Sequence, residues 1–458
     1  MKIIVCGGGQ VGFSIIRYLS TQENDVTVID HSEEVINRIS RTMEVRGLLG
    51  FASHPDVLVR AGIADADMII AVTQSDEVNM VACQIAHSLF NVPLKMARVR
   101  SKSYLSAEWS ALYHSDSMPI DLVISPELEV ARSISRTLEI PGAFAVIPFG
   151  DHALHLIGIR CKGKISLLNT PLRLLSSLFP ELEWNVLFIV RGDAGFVPMG
   201  TDQLLEGDEV YLLIPQKKLQ EAMGAFGFVE QQSQRLLILG GGNVGLFLAE
   251  EVEAHHPSIS LMLVENNKDR ASYVANQLTR TVVLHGDALD REILREANAK
   301  ITDKVVAITA DDKVNILASI LAKKMGAGQA MALINSASYS NIVNSLEIDS
   351  VISPQSLTAS SILQYVRRGR ILSIHSLRDN FGEVIEAEAM GTSNVLGKTV
   401  EEINIPRSLM IGAIIRNDQI LIPRDDTVIK IHDRVILMVT GPAIKRFEKL
   451  FAVRLEYF

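Results

Sequence analysis

One stretch of about 230 residues occurs twice in this chain of 458 residues. The glycine-rich segment IIVCGGGQVG at residues 3–12 returns as LLILGGGNVG at residues 236–245. Three further segments recur in the same order: 61–86 with 297–322, 123–134 with 351–362, and 196–215 with 421–440. The separation between partners drifts by only a few residues, which is typical of a tandem duplication with small changes in loop length. Any fold for this chain must therefore be one that can be built twice.

Each copy divides into two parts with different patterns. In the first part, short apolar strands alternate with amphipathic helical stretches, which is typical of a doubly wound parallel α/β sheet. The strands of copy one read KIIVC, DVTVID, VRGLL, DMIIAV, LKMARV and DLVIS, and a glycine turn follows the first of them. This arrangement predicts a Rossmann-like, dinucleotide-binding sheet. The second part has fewer and shorter strands, which predicts a small α+β domain.

A Ser-Pro pair separates the two parts of each copy. Ser125-Pro126 and Ser353-Pro354 have the form of a helix N-cap followed by proline at the first helical position, so a linking helix is expected there. The predicted fold class is α/β, a tandem duplication of a Rossmann-like domain plus a small α+β domain. The predicted segments are a first Rossmann-like domain (1–126), a linking helix (127–141), a first α+β domain (142–227), a second Rossmann-like domain (233–354), a linking helix (355–367) and a second α+β domain (368–454).

The composition argues against several classes of protein. The formal net charge is −9 and the basic stretches are short, so nucleic acid is not an expected partner. Apolar runs such as VLFIV and VILMV are far shorter than the roughly 18 residues of a membrane span, and they fit strands buried on both faces. Cys6, Cys83 and Cys161 are far apart in sequence, which fits reduced thiols rather than a disulfide or metal framework.

The glycine spacing in copy one is Gly7-x-Gly9-x-x-Gly12. The first glycine permits the tight turn, the second allows a phosphate to approach the backbone, and the third lets the helix pack closely on its strand. The N–H groups and partial positive charge of the helix N-terminus favour phosphate. Asp30 ends the second strand, where its carboxylate can accept hydrogen bonds from both ribose hydroxyls and would repel a 2′-phosphate. NAD(H), ATP and ADP therefore fit this site better than NADP.

Copy two repeats this pattern with Gly240, Gly242, Gly245 and Glu265. The preceding strand, the following helix and the distal carboxylate occur together in both copies, so the sequence predicts two nucleotide sites. The alternative is that one copy is a scaffold whose glycines serve packing alone.

The copies differ near the predicted ligand. Asp287 in copy two corresponds to Phe51 in copy one, so an acidic side chain is replaced by an aromatic one. Arg98, which could pair with a phosphate or carboxylate or lie on the surface, corresponds to Leu333. We therefore expect the two sites to bind different nucleotides, or the same nucleotide unequally.

Polar residues follow the fourth strand of each sheet. Thr73-Gln74 and Thr309 lie where the crevice outside the carboxyl edge of a parallel sheet holds a ligand. Contacts from these residues to a nucleotide are expected. Asp76 and Asn79, with their counterparts in copy two, are instead expected to cap the next helix.

Several stretches resemble two tandem RCK units, the domains that regulate potassium conductance: GGGQVG with Asp30, GGGNVG with Glu265, VISPE, VISPQ, and the small modules ending in DEVYLLIP and DRVILMV. The resemblance covers essentially the whole chain. It implies a cytoplasmic homo-oligomer, a tetramer, that forms a gating ring peripheral to the inner membrane, beneath a membrane-embedded Trk-type potassium channel subunit. It also implies NAD(H) and ATP or ADP as ligands.

The resemblance, together with the positions that distinguish the copies, defines a set of candidate nucleotide-binding residues. No catalytic or metal-ligating residue is predicted. The candidates are Gly7, Gly8, Gly9, Gln10, Val11, Gly12, Asp30, Phe51, Thr73, Gln74, Arg98, Gly240, Gly241, Gly242, Asn243, Val244, Gly245, Glu265, Asp287 and Thr309.

The predicted function is a ligand-operated regulator of potassium uptake that is not an enzyme. Nucleotides with different numbers of phosphates would act differently on the glycine turns, and the linking helices would transmit the change. The rival prediction is an NAD-dependent oxidoreductase, which needs a substrate domain with a general acid or base near the nicotinamide. A second nucleotide fold stands where that domain should be, and the histidines form no catalytic arrangement.

Overall fold

The computed structural model describes residues 1–20, 24–113, 117–163, 165, 167–179, 184–228, 234–336, 339, 346, 348–366, 370–377 and 381–451. The predicted domain limits at 233, 367, 368 and 454 lie outside these residues. The chain forms two compact units. Unit 1 comprises Met1–Val130 with Ser353–Ile362, and unit 2 comprises Ala131–Ile352 with the described residues from Leu363 onward.

The first sheet is parallel, and its six strands are β1 Lys2–Cys6, β2 Asp25–Asp30, β3 Arg46–Leu49, β4 Met68–Ala71, β5 Leu94–Arg98 and β6 Leu122–Ile124. They lie in the order β3-β2-β1-β4-β5-β6, so the winding reverses between β1 and β4. A parallel sheet of this type binds ligands at that reversal, outside the carboxyl ends of the strands. The helices around it are α1 Gln10–Ser20, α2 Glu33–Thr42, α3 Pro55–Arg60, α4 Asp76–Phe90, α5 Lys102–Leu105 and the linking helix α6 Pro126–Glu139.

An antiparallel sheet of five strands follows, comprising β7 Ala143–Phe149, β8 Leu154–Arg160, β9 Asn185–Arg191, β10 Ala194–Phe196 and β11 Glu209–Pro215. The strand order is β10-β9-β11-β8-β7. Two short helices accompany it, α7 Leu172–Leu178 and α8 Leu219–Ala225.

The second parallel sheet repeats the first, with strands β12 Arg235–Leu239, β13 Ser260–Glu265, β14 Val282–His285, β15 Lys304–Ala307, β16 Gln329–Leu333 and β17 Ser350–Ile352. Its order, β14-β13-β12-β15-β16-β17, has the same reversal between the first and fourth strands. Its helices are α9 Asn243–His255, α10 Lys268–Gln277, α11 Arg291–Glu296, α12 Asp312–Met325 and a second linking helix, Pro354–Val366.

The second antiparallel sheet has strands β18 Ile371–Ser376, β19 Glu383–Glu388, β20 Leu409–Arg416, β21 Gln419–Leu421 and β22 Arg434–Val439, with helices Val400–Ile403 and Ile444–Phe451. The two antiparallel sheets share one apolar core in unit 2, to which Phe188 and Leu213 contribute from the first sheet and Ala413 and Met438 from the second. The predicted α/β fold class is therefore confirmed. Among the described residues, no helix has the length and apolar character that crossing a bilayer requires.

The compact units do not coincide with the sequence repeats. Residues 353–362 of the second linking helix belong to unit 1, where Gln355 Oε1 accepts a hydrogen bond from Ser14 Oγ at 2.7 Å. Residues 131–139 of α6 belong to unit 2, where Thr137 O accepts a hydrogen bond from Lys304 Nζ at 2.9 Å. Each linking helix thus packs, over part of its length, with the Rossmann-like sheet of the other copy.

Candidate functional site

The glycine turns have the same strained backbone in both copies. Gly7 has φ +103° and Gly240 has φ +116°, values that L side chains rarely adopt. A Cβ atom at Gly7 would also lie 2.9 Å from the backbone nitrogen of Thr73, and one at Gly12 would lie 1.8 Å from Gly7 O. Only glycine therefore fits at the first and third positions of the fingerprint.

The second glycine of each fingerprint has a different environment. A Cβ atom at Gly9 or Gly242 would meet no atom within 4 Å. Each of these glycines lies directly before a helix, α1 or α9, whose first turn contains no acidic residue. Open space in front of a helix N-terminus is a favourable place for an anion such as phosphate.

The remaining turn residues lie at the start of these helices. Gln10 and Asn243 are exposed, whereas Val11 is buried and Val244 is half-buried. The two exposed residues directly follow Gly9 and Gly242 in the chain, whereas the valines are more shielded from solvent.

The predicted carboxylates lie directly beneath the turns. Asp30 is 9% exposed, and its Oδ2 accepts a hydrogen bond from Gly8 N at 2.7 Å. Glu265 Oε2 accepts one from Gly241 N at 2.7 Å. In each copy the other oxygen accepts from a backbone N–H two residues further on, at 2.9 Å for Asp30 and 2.8 Å for Glu265. These bonds fix both carboxylates in orientation, and a carboxylate retains further lone pairs for ribose hydroxyls.

Two arginines contact the turns and were missed by the sequence analysis. Arg38 Nη2 donates to Gly8 O at 3.3 Å, and Arg270 Nε donates to Gly241 O at 2.7 Å. They are not equivalent residues, since Arg38 aligns with Tyr273 and Arg270 aligns with Val35. Their positions are one helical turn apart on the same face of two equivalent helices, α2 and α10. Each arginine therefore reaches the equivalent carbonyl of its own turn. A comparison by aligned position could not reveal this pair.

The threonines after the fourth strands are held by buried asparagines. Asn79 Oδ1 accepts hydrogen bonds from Thr73 N at 2.9 Å and from Thr73 Oγ1 at 2.7 Å, and Asn79 Nδ2 donates to Arg98 O at 2.9 Å. Asn315 joins Thr309 to Leu333 O in the same way. The asparagines therefore tie the ends of two neighbouring strands together at the reversal of each sheet. Gln74, the residue after Thr73, is exposed.

The prediction that Asp76 and Asn79 cap the next helix was wrong. The cap of α4 is Ser75, whose side chain accepts a hydrogen bond from Val78 N, and in copy two the cap is Asp311. Asp76 accepts backbone hydrogen bonds from Arg100 and Ser101 instead. Asp76 and Asn79 point inward from the first turn of α4. Their hydrogen bonds therefore stabilise the end of β5 and the loop after it rather than the start of the helix.

Arg98 forms an ion pair inside the protein. Its Nη2 donates to Glu127 Oε1 at 2.7 Å, and the side chains of Arg98 and Glu127 are 15% and 11% exposed. Arg100 Nε contacts the same oxygen at 3.3 Å. Glu127 lies in the first turn of α6, so Arg98 connects the end of β5 with the linking helix. The counterparts of Arg98 and Glu127 in copy two are Leu333 and Gln355, which carry no charge.

Phe51 and Asp287 occupy equivalent turns, one in each copy, and have different neighbours. Gly50 N and Gly286 N donate to Asp30 O and Glu265 O, each at 2.9 Å, so the backbone before the two residues is equivalent. Phe51 is 56% exposed and stacks on His31, with ring centroids 5.8 Å apart and planes inclined by 16°. Asp287 Oδ1 accepts a hydrogen bond from Leu289 N at 2.8 Å.

Cys6 is the cysteine nearest in sequence to the first turn. Burial raises the pKa of the Cys6 thiol, which precedes the first turn, to about 12, so this thiol is neutral and unreactive at physiological pH. Over the described part of the chain, no three His, Cys, Asp or Glu side chains are grouped in a way that could hold a metal ion. The arrangement can bind a phosphate and a ribose.

Two family models match the chain. The TrkA-N domain matches residues 3–126 and again residues 236–354, which are the two Rossmann-like sheets. The TrkA-C domain matches residues 384–452 in the second antiparallel domain.

Relatives and solved structures agree with these matches. The chain is 45% identical to the Trk system potassium uptake protein TrkA of Azorhizobium caulinodans and 40% identical to that of Halomonas elongata, with 100% of both chains covered in each case. It is similar in fold to the GsuK channel bound to NAD, with a TM-score of 0.62 and 19% identity over 99% of this chain and 79% of that one. The predicted resemblance is thereby confirmed, and the chain belongs to the TrkA family of Trk system potassium uptake proteins.

Proposed function

We propose that the protein is a nucleotide-sensing regulatory subunit of a potassium uptake system and that it is not an enzyme. The observation that carries this proposal is the duplicated turn, which combines open space over Gly9 and Gly242 with a fixed carboxylate at Asp30 and Glu265. Two such sites, whose carboxylates are held in place by backbone N–H groups, fit binding better than turnover. Membership of a family named for potassium uptake supplies the process that is regulated.

The ligands that we propose are NAD(H) and ATP or ADP. Each has an adenosine ribose that can bind to Asp30 or Glu265, and phosphates that fit the open helix N-terminus. The likeness in fold to a channel solved with NAD supports NAD(H) as one of them. The remaining candidate residues that border the turn are Gln10, Asn243 and Gln74, whose side chains are exposed.

A continuous set of contacts connects the first site with its linking helix. Gly7 lies against Thr73, Asn79 joins Thr73 to the backbone of Arg98, and the Arg98 side chain binds Glu127 at the start of α6. A nucleotide that displaces the turn would therefore act on the helix through packed, hydrogen-bonded groups. Couplings of about 1–3 kcal/mol, or roughly 5- to 150-fold in affinity, are typical of such regulation.

The same proposal includes the assembly. The chain would form a homotetrameric ring on the cytoplasmic side of the inner membrane. Its contact with the membrane would be peripheral, through a membrane-embedded Trk-type potassium channel subunit whose open probability follows the occupancy of the nucleotide sites.

A calorimetric titration of the purified protein with NADH, ATP and ADP tests the binding step. Asp30→Ala and Glu265→Ala are each expected to abolish one class of sites, and Asp25→Ala, which removes an exposed carboxylate at the other end of β2, serves as the control. NADH absorbance is followed in parallel. Binding without NADH oxidation supports a regulator, oxidation favours the NAD-dependent oxidoreductase, and absence of binding contradicts both.

The regulatory step needs the channel. Potassium flux into vesicles that contain the channel subunit and the protein should change when ATP, ADP or NADH is added. Flux that does not respond to any of the three, with binding intact, would contradict the regulatory role.

A further inference from the structure

The rim of the first site is aromatic. Phe51 stacks on His31, and its ring centroid also lies 5.4 Å from that of His54, with the two planes inclined by 42°. His31 follows Asp30 directly, and its Nδ1 lies 3.4 Å from Asp30 Oδ1. His31 therefore connects the three rings with the carboxylate that is expected to hold the ribose.

The same positions in copy two are Asn266, Asp287 and Asp290, and the side chains of the two aspartates accept local backbone hydrogen bonds. Asp290 caps α11 by accepting a hydrogen bond from Glu292 N at 2.8 Å. His54, the counterpart of Asp290, stands at the N-cap of α3 without a side-chain capping bond.

The aromatic rim is expected to add little to stability. Phe51 is 56% exposed, so its ring buries little area, and the missing cap leaves α3 less stable by an expected 0.5–2 kcal/mol, on the order of one capping bond. Departures from local folding rules concentrate at functional sites. Here the departures at positions 51 and 54 are connected through His31 to one carboxylate, Asp30.

We propose that Phe51, flanked by His31 and His54, is a stacking platform for the base of the nucleotide in the first site, and that this site accepts bases other than adenine. This inference rests on the proposed nucleotide binding. A stacking contact recognises the face of a base, and every base has such a face. The first site therefore selects its ligand by ribose and phosphates and is tolerant of the base.

The second site recognises its base through an edge. Asp287 holds a carboxylate where Phe51 holds a ring, and a carboxylate oxygen accepts a hydrogen bond from an exocyclic amino group. Adenine carries that amino group at its six-position, whereas hypoxanthine and guanine carry an oxygen there. A polar group that is left unpaired or repelled in the site costs far more binding free energy than a missing apolar contact. The second site should therefore select adenine.

The experiment measures ATP, ITP and GTP binding by calorimetry, with one site silenced at a time. In Glu265→Ala, which retains the first site, the three nucleotides are expected to bind within about threefold of one another. In Asp30→Ala, which retains the second site, ATP is expected to bind at least about tenfold more tightly than ITP or GTP. Failure of ATP to bind at either site would refute the proposed function itself.

Substitutions at the platform test the mechanism. Phe51→Ala is expected to weaken the binding of all three nucleotides at the first site by about 5- to 150-fold, the range of one base stack. Phe51→Tyr, which keeps an aromatic ring, should restore binding. Val59→Ala, another exposed apolar residue of the same domain, is the matched control. The intact second site in each single variant reports that the protein is folded.

The reciprocal exchange completes the test. Phe51→Asp should introduce an adenine preference at the first site, and Asp287→Phe should abolish it at the second. The inference is overturned if ATP binds the first site but ITP and GTP bind at least tenfold more weakly, or if Phe51→Ala leaves all three affinities unchanged. Either result would leave the proposed function standing.

Discussion

In copy one the turn begins at Gly7 with φ +103°, and in copy two it begins at Gly240 with φ +116°. Both turns are held by a carboxylate below and by a buried asparagine beside the fourth strand. Around this common backbone the side chains differ, with Phe51 opposite Asp287 and Arg98 opposite Leu333. The duplicated sites have therefore kept what the turn needs sterically and have changed what a ligand would touch.

The two linking helices also differ in their side-chain contacts. The first begins with the Arg98–Glu127 ion pair and continues to Thr137, which is bound by the buried Lys304. The second contacts the first Rossmann-like sheet through Gln355 and Ser14, a neutral pair. Met68 occupies the position of Lys304 in copy one. Ionisable groups thus contact the first linking helix, whereas this contact of the second is neutral.

The largest effect is expected where the copies are alike. Gly12→Ala would place a Cβ atom 1.8 Å from Gly7 O, so α1 must move away from its strand at a cost of about 3 kcal/mol or more. Gly245→Ala should have a similar cost, because the corresponding distance is 2.0 Å. Denaturant unfolding measures both. Gly9→Ala, whose Cβ would meet no neighbour within 4 Å, is the control, and equal stability of all three variants would contradict the steric account.

A pH-dependent effect is expected where the copies differ in a buried ionisable group. Burial lowers the pKa of Lys304 from 10.5 to about 7, with Asp349 opposing the shift. Between pH 7 and 10.5 the unfolded chain holds this proton and the folded chain does not. The contribution of Lys304 to stability therefore rises with pH, by at most about 1.4 kcal/mol per pH unit, and is lowest at and below pH 7.

Lys304→Met, which introduces the residue of copy one, should remove this dependence. The difference in unfolding free energy between the parent protein and the variant is expected to change steadily from pH 7 to 10 and to be constant below pH 6. Parallel stability profiles over the whole range would mean that Lys304 stays charged when buried.

The smallest effect is expected at the caps. His54→Asp restores at α3 the cap that Asp290 provides at α11 and should stabilise unit 1 by about 1 kcal/mol. Asp290→His should cost a similar amount. Thermal unfolding measures both, and loss of stability in His54→Asp would indicate that the aromatic rim has a structural role.

Much of the fold follows from the sequence. The strained first glycine is set by residues a few positions apart in a strand–turn–helix unit, and the carboxylate beneath the turn ends the next strand, 22 residues after Gly8. The contact of these residues with a nucleotide remains a prediction. The sequence also assigned Asn79 to a helix cap, because capping is the usual role of an asparagine near a helix start, whereas the structure places its amide between two strands.

The sequence by itself determined the duplication, the fold class and the position of both turns, because local spacing and apolar periodicity encode them. Only the tertiary structure decided that Arg98 binds Glu127, that Lys304 binds Thr137, and that each linking helix packs partly with the other copy. These contacts join residues that are 29 and 167 positions apart. Such partners are selected by how whole elements pack, and no periodicity along the chain records that choice.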